Sequence, residues 1–298
     1  LGAFIASAPE RGAAPMESTL EAELTDLHAA AVTELLALMK MPAAELDLVG
    51  FHGQTIWHRP DQRATWQMGD GARLADALDV PVAFDFRTAD VAAGGQGAPL
   101  MPVYHAALTP MQVRPIAILN VGGVANLTWI GSSEGDLLGF DTGPGNGLID
   151  DWVHKHLNLP MDKDGAVAAK GRVHEDVLAR LMAHAFFAQR PPKSLDRFSF
   201  NADGLAHLSV DDGAATLTAF TAAAAARALD HCGVRPRKLF VTGGGRKNPT
   251  LMKMLGEYGG VEVETIDSNG PDGDAVEAQG FAYLAVRTLR GLPLTFRN

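Results

Sequence analysis

Residues 116–147 read I-A-I-L-N-V-G-G-V-A-N-L-T-W-I-G-S-S-E-G-D-L-L-G-F-D-T-G-P-G-N-G. The apolar run Ile116–Leu119 ends at Asn120, the pair Gly122-Gly123 follows, and a second apolar run reaches Ile130. That order predicts two strands around a tight glycine turn. Glycines at such a turn let an anion approach the backbone closely and leave N–H groups to meet it. A third predicted strand, Leu137–Phe140, delivers Asp141 into Thr142-Gly143-Pro144-Gly145-Asn146. Small and ring-locked residues directly after a carboxylate hold it on a fixed loop. A phosphate-holding hairpin beside a placed acid is what phosphoryl transfer requires, because its catalysis is mostly positioning and charge stabilisation.

Outward from this stretch, strands and helices alternate, so the fold class is α/β. Upstream, Ser18-Thr19-Leu20-Glu21 fits a capping box, and Leu20, Leu24, Leu27, Ala31, Leu35 and Leu38 follow helical spacing up to Pro42. Residues 1–17 are unpatterned and read as a loop. Leu46–Phe51 is a predicted strand emptying into the loop His52–Pro60. Thr65–Met68 is a strand, Asp70 caps a helix over Ala72–Leu78, and Val80–Phe86 is a strand leading to Arg87-Thr88-Ala89-Asp90 and Gly94-Gly95-Gln96-Gly97. Downstream, helices are expected over Gly145–Leu157, His174–Phe187 and Ala214–Cys232. The strand Lys238–Val241 runs into Thr242-Gly243-Gly244-Gly245-Arg246-Lys247-Asn248-Pro249, where Asn248 suits an N-cap and Pro249 a first helical turn. A strand over Val261–Ile266 and a helix over Asp274–Leu289 close the pattern.

Composition narrows the classes. A net charge of −10 with no basic block argues against a nucleic-acid partner. The single cysteine, Cys232, permits no intrachain disulfide and points to a reducing compartment. The longest nearly apolar run, within Leu217–Leu229, is broken by Thr218, Thr221 and Arg227 and is too short to span a bilayer. No basic stretch precedes an apolar core near Leu1, so no signal peptide is expected. These features describe a soluble cytoplasmic protein.

Each motif also has a plain structural reading. Asp141–Asn146 reads equally as a strand-to-helix turn with Asn146 as cap. The glycines 243–245, between a strand end and a capped helix, leave a nucleotide-sized gap at a positive helix end, yet neither the Walker spacing nor the dinucleotide fingerprint is present. Asp274-Ala275-Val276-Glu277 serves as a helix start. His52 and His58, six apart, suit no standard metal pair. Arg87 and Asp90 are placed to pair with each other, although loops at strand ends are where ligand contacts concentrate.

Taken together, F-H-G-Q-T from Phe51, Q-M-G-D-G from Gln67, D-F-R-T-A-D-V-A-A-G-G-Q-G-A-P-L-M-P from Asp85, N-V-G-G-V-A-N-L-T from Asn120, G-F-D-T-G-P-G-N from Gly139, T-G-G-G-R-K-N-P from Thr242 and E-A-Q-G-F-A-Y-L-A from Glu277 resemble the anhydro-N-acetylmuramic acid kinases. These belong to the sugar kinase–actin–heat-shock ATPase superfamily. The resemblance implies a two-lobed actin-like ATPase fold with a central cleft, divided as residues 1–116 and 117–298. It implies ATP and Mg²⁺ as cofactors, with no metal ligand assigned, and a homodimer. ATP would meet Gly122, Gly123, Asn126, Gly243, Gly244, Gly245 and Asn248. The sugar would face His52, Gln54, Arg87, Asp90, Gly95, Gln96, Gly97, Asn146 and Glu277. Asp141 matches the general base that activates water against the 1,6-anhydro ring while O6 is phosphorylated, giving N-acetylmuramic acid 6-phosphate in cell-wall recycling. Members of the family begin with a phosphate hairpin of the form G-T-S-x-D-G-x-D, which residues 1–17 do not match. The expectation is therefore an incomplete first lobe in a chain trimmed at its N-terminus. The alternatives are a non-catalytic sugar-binding protein on the same fold, and a hydrolase using Asp141 and Glu277 as a carboxylate pair.

Overall fold

The structure, a computed structural model, describes residues 15–133, 135–195, 199–270 and 272–296. It is α/β, and packing divides it into two compact units: residues up to Leu100 with Glu277–Thr295, and Met101–Val276 with Phe296. The last helix thus packs with the first unit, a return of the chain that strand and helix periodicity does not reveal.

In the first unit, α1 (Pro15–Met39) precedes β1 (Val49–Phe51), β2 (Gln54–Arg59), β3 (Ala64–Met68), α2 (Gly71–Leu78), β4 (Val82–Phe84) and α3 (Thr88–Ala92). β1 and β4 pair in parallel, and β2 and β3 form an antiparallel hairpin. Several expectations are corrected here. Of the loop expected over residues 1–17, residues 1–14 lie outside the described residues and the rest begin α1. Ser18 is inside the helix, so there is no capping box. Glu21 instead reaches across to accept the Gly69 N–H at 3.0 Å. The inward stripe of α1 runs through the buried Thr25 and Leu36 and the half-buried Ala29 and Val32, whereas Leu27 and Leu38 are 69% and 74% exposed. Leucine spacing alone could not choose between two adjacent apolar stripes. Thr25 decides it, because its hydroxyl accepts the Asp70 N–H at 3.1 Å where α2 begins. Asp70 caps α2 as expected, accepting from Ala72 and Arg73. The stretch expected as a loop from His52 is a strand from Gln54, with Ile56 packed against Trp66 and Met68.

The second unit holds α4 (Pro102–Leu108), β5 (Ile116–Val121), β6 (Val124–Ile130), β7 (Leu137–Pro144), α5 (Gly147–Leu157), α6 (Glu175–Met182), α7 (Val210–Ala228), β8 (Lys238–Thr242), α8 (Pro249–Gly259) and β9 (Glu262–Thr265). α9 (Val276–Leu289) follows. The five strands order as β7-β6-β5-β8-β9, with β8 parallel to both β5 and β9. Ile116–Leu119 is buried on both faces, which is why it reads as an unbroken apolar run. On one face Leu119, Val121, Leu127, Phe140 and Val241 pack against Ala222, Ala225 and Ala228 of α7 and Leu251 and Leu255 of α8. Alanine lets α7 approach the sheet closely and accounts for its being apolar nearly all round. The helix expected over His174–Phe187 stops at Met182 and resumes as a short 3-10 turn, Ala185–Ala188.

On the other face, His105 of α4 is wholly buried with Nδ1 2.8 Å from the Thr128 hydroxyl. Burial pushes its pKa down from 6.5 to about 4. The unfolded chain then binds the proton more readily than the folded one, so stability rises with pH. The contribution is complete above 6.5 and is lost as pH falls from there to about 4, a gap worth about 3 kcal/mol. His58 and His231, also held down by burial, add smaller slopes of the same sign. Denaturant unfolding at pH 7 and pH 4.5 is expected to show this loss in the wild type, and His105→Asn to remove most of it. An unchanged slope in the variant would exclude His105 as its source.

Candidate functional site

Register across the second sheet sets the site. Thr242 of β8 lies opposite Asn120 of β5, Asn120 opposite Asn126 of β6, and Asn126 opposite Asp141 of β7. Directly opposed residues share a face, so four polar side chains form one row across four strands, on the face opposite Leu119 and Leu127. A β-bulge falls in β7, where Ala125 opposes Gly143 and Asn126 opposes Asp141, leaving Thr142 as the extra residue. Bulges re-aim side chains. Asp141 therefore lies within a strand at a bulge, a correction to the expected loop. Its backbone N–H donates to the Lys193 carbonyl at 3.0 Å, and its Oδ2 accepts the Leu195 N–H at 2.7 Å. The carboxylate is held by a backbone segment that nothing in the order of residues connects with it. Lys193 is itself buried, its ammonium over the Phe186 ring at 4.3 Å. Its pKa is lowered by burial and by Arg227, against the opposing pull of Asp141.

Past the row, three loops meet. The N–H groups of Gly145, Asn146 and Gly147 donate to the carbonyls of Gly122 and Gly123 at 2.7–3.2 Å, joining the N-terminus of α5 to the β5–β6 turn. Asn146 is not a side-chain cap; its amide donates to the Val121 carbonyl at 3.1 Å. The Thr221 hydroxyl, from α7, holds the Gly145 carbonyl at 2.9 Å. A side chain at Gly145 would collide with the Gly122 carbonyl, so glycine there is architectural. Gly243 has φ +75°, and a Cβ on it would lie 2.5 Å from Asn120 Oδ1; on Gly245 it would lie 2.6 Å from Val121. Asn248 caps α8, accepting the Leu251 N–H at 2.9 Å.

Gly122, Gly123 and Gly244 differ from all of these. None has positive φ. Among the described residues, a Cβ on Gly123 would meet nothing within 4 Å, on Gly122 only the Val124 carbonyl at 3.6 Å, and on Gly244 only the Asn146 amide at 3.6 Å. Neither backbone conformation nor packing among the described residues requires glycine at these positions.

In the first unit, Arg87 and Asp90 hold Gly97 from its two sides, one on each of the peptides that flank it. Arg87 Nη1 donates to the Gly97 carbonyl at 2.7 Å, and Asp90 Oδ2 accepts the Gly97 N–H at 2.7 Å. Asp90 Oδ1 accepts the Thr295 hydroxyl at 2.5 Å. Gly97 has φ +62°, and a side chain on Gly95 would strike Asp90. The loop Gly94–Gly97 is thus shaped by the two residues that precede it. His58, beside it, binds the Thr65 hydroxyl at 2.9 Å, and its pKa is lowered by burial and by Arg87. His52 is exposed, with its ring 4.6 Å from Phe281 of α9. Gln54 begins β2, Gln96 is half-buried, and Glu277 is exposed in the first turn of α9. Asp274 does not cap that helix: its carboxylate is taken by Arg246 and Lys247.

An open glycine turn, a helix N-terminus behind it and a fixed carboxylate in register beside it make the second unit that of a phosphotransferase. The profile of the family described as anhydro-N-acetylmuramic acid kinase matches residues 8–298. The chain is similar to the anhydro-N-acetylmuramic acid kinase of Rhizorhabdus wittichii, with 55% identity over 95% of this chain and 77% of that one. It is similar to that of Zymomonas mobilis at 51% identity, over 90% and 74%, and to that of Paramagnetospirillum magneticum at 50%, over 96% and 81%. The chain belongs to the anhydro-N-acetylmuramic acid kinase family, whose members are ATP-dependent sugar kinases. Among the described residues, no helix is long and apolar enough to cross a membrane.

Proposed function

We propose that the chain opens the 1,6-anhydro ring of anhydro-N-acetylmuramic acid with water and transfers the terminal phosphoryl group of ATP to O6, yielding N-acetylmuramic acid 6-phosphate. The observation that carries the nucleotide assignment is the set Gly122, Gly123 and Gly244, glycines that the chain's own packing leaves without a reason. A phosphate and the face of a nucleoside are ligands that would need that room. Asn126 and the architectural Gly243, Gly245 and Asn248 hold the surrounding frame. Mg²⁺ in such sites is held by nucleotide phosphates and one or two carboxylates. Asp141 is the carboxylate set in register beside the hairpin, and among the described residues no cluster of three or more potential ligands forms a dedicated cage.

Asp141 acts as the base on the attacking water. Proton removal raises the nucleophilicity of the water at the anomeric carbon, the C1–O6 bond breaks, and O6 leaves as the oxygen that accepts the phosphoryl group. No second base is then needed for O6. The sugar is met by His52, Gln54, Gln96, Asn146 and Glu277, with Arg87 and Asp90 acting through the Gly95–Gly97 loop that they hold. A homodimer in the cytoplasm is part of the same reading, carried by the family resemblance.

Running the reaction in ¹⁸O-water tests the mechanism. The label is expected at C1 of the product, after correction for anomeric exchange, and phosphate at O6. Label confined to O6, or none at C1, would overturn ring opening by water.

A further inference from the structure

Arg246 is 4% exposed, yet its guanidinium is fully engaged by charged and polar partners. Nε donates to Asp267 Oδ2 at 2.8 Å, and Nη1 donates both to Asp274 Oδ1 at 2.9 Å and to the Gly243 carbonyl at 3.1 Å. Asp267 in turn accepts the Gly273 N–H at 3.0 Å, and Lys247 adds a second cation to Asp274 at 2.6 Å. The guanidinium lies so close to the backbone that a side chain on Gly273 would overlap it. Hydrogen bonds from Arg246 and Lys247 hold the Asp274 carboxyl at about 2, so the network stays charged at any physiological pH and changes only through geometry.

Two segments are tied by this one side chain. The first is the peptide immediately before Gly244, the open glycine of the loop. The second comprises Asp267 with residues 272–274, the latter shortly before α9; the chain passes from the second unit to the first between Val276 and Glu277. A purely structural staple does not call for a buried cation, since well-packed apolar residues commonly serve as well or better. A planar fork with fixed donor directions differs in that shifting one segment strains its bonds to the other. We propose that Arg246 is a positioning residue that couples nucleotide occupancy of the Gly243–Gly245 loop to the segment carrying Glu277, so that nucleotide and sugar bind cooperatively. This rests on the assignment of nucleotide and sugar residues above.

The test is a calorimetric linkage cycle on the full-length protein, with a non-hydrolysable ATP analogue plus Mg²⁺ and anhydro-N-acetylmuramic acid as probes. Each dissociation constant is measured with and without saturating partner ligand. In the wild type each ligand is expected to tighten the other by the same factor, roughly 5–150-fold. Asp274→Asn, a shape-conserving change at a site 59% exposed, is expected to bring that factor to within about twofold of one while single-ligand affinities change little. Arg246→Lys, which keeps the charge but not the fork, is expected to do the same. Wild-type binding without coupling, or coupling unchanged in Asp274→Asn, overturns the inference and leaves the site assignment standing. Failure of the wild type to bind the analogue overturns both.

Discussion

Asp141→Asn is expected to leave the protein folded and to lower turnover by on the order of 10²–10⁴-fold or more, the range for loss of a group that moves a proton in the transition state. The fold is expected to survive because asparagine can keep these two backbone contacts. Its side-chain oxygen still accepts the Leu195 N–H where Oδ2 now does at 2.7 Å, and the backbone N–H to Lys193 is untouched. Volume and shape are conserved, and the row Asn120–Asn126–141 keeps its register. Only the capacity to take a proton from water is removed. Turnover at saturating ATP and sugar, read beside a thermal melt and sugar affinity, separates the outcomes. Activity within a few-fold of wild type would reject Asp141 as the base. A lowered melting point with weakened sugar binding would mean that the carboxylate acts through structure.

Much of this site was legible in sequence because its parts are local. The Gly122-Gly123 turn, the strand into Asp141 and the Asn248–Pro249 helix start each follow from a few adjacent residues, and each stands where expected. What was not legible is lateral. Nothing in spacing says that Thr242 lies beside Asn120, or that a bulge brings Asp141 opposite Asn126, because register is set by pairing across the sheet. The segment Lys193–Leu195 holds Asp141 from 54 positions away through backbone atoms, which carry no sequence signal. The glycines were equally ambiguous as letters. Gly243, Gly244 and Gly245 read alike, and only their surroundings separate the two required by the fold from the one that is not. Arg87 and Asp90 could be foreseen as partners of something. That both bind Gly97, one at its carbonyl and one at its N–H, depends on the curl of the loop, which the positive φ of Gly97 produces.

Gly244→Leu is expected to weaken ATP binding by roughly 10–100-fold, the equivalent of about 1–3 kcal/mol of forced overpacking, and to leave sugar affinity and melting temperature close to wild type. The backbone tolerates a branching carbon there, since a Cβ has only the Asn146 amide at 3.6 Å for company among the described residues, and φ is not in the left-handed region. The first added atom therefore meets no clash among the described residues, and the expected effect of the added volume falls on what occupies the loop from outside. Gly245→Leu is the control. Its Cβ would sit 2.6 Å from Val121 and 3.1 Å from Leu251, inside the core between β5 and α8, so it should lower stability and disturb both ligands together. Gly243→Ala should resemble the control, because φ is +75° and Asn120 Oδ1 stands 2.5 Å from the new atom. Calorimetric titration of each variant with ATP analogue and sugar, beside a thermal melt, distinguishes the cases. If Gly244→Leu lost both affinities equally, or kept nucleotide affinity intact, then the open side of this loop would not be where the nucleotide lies, and the open Gly122-Gly123 turn would have to be reassigned with it.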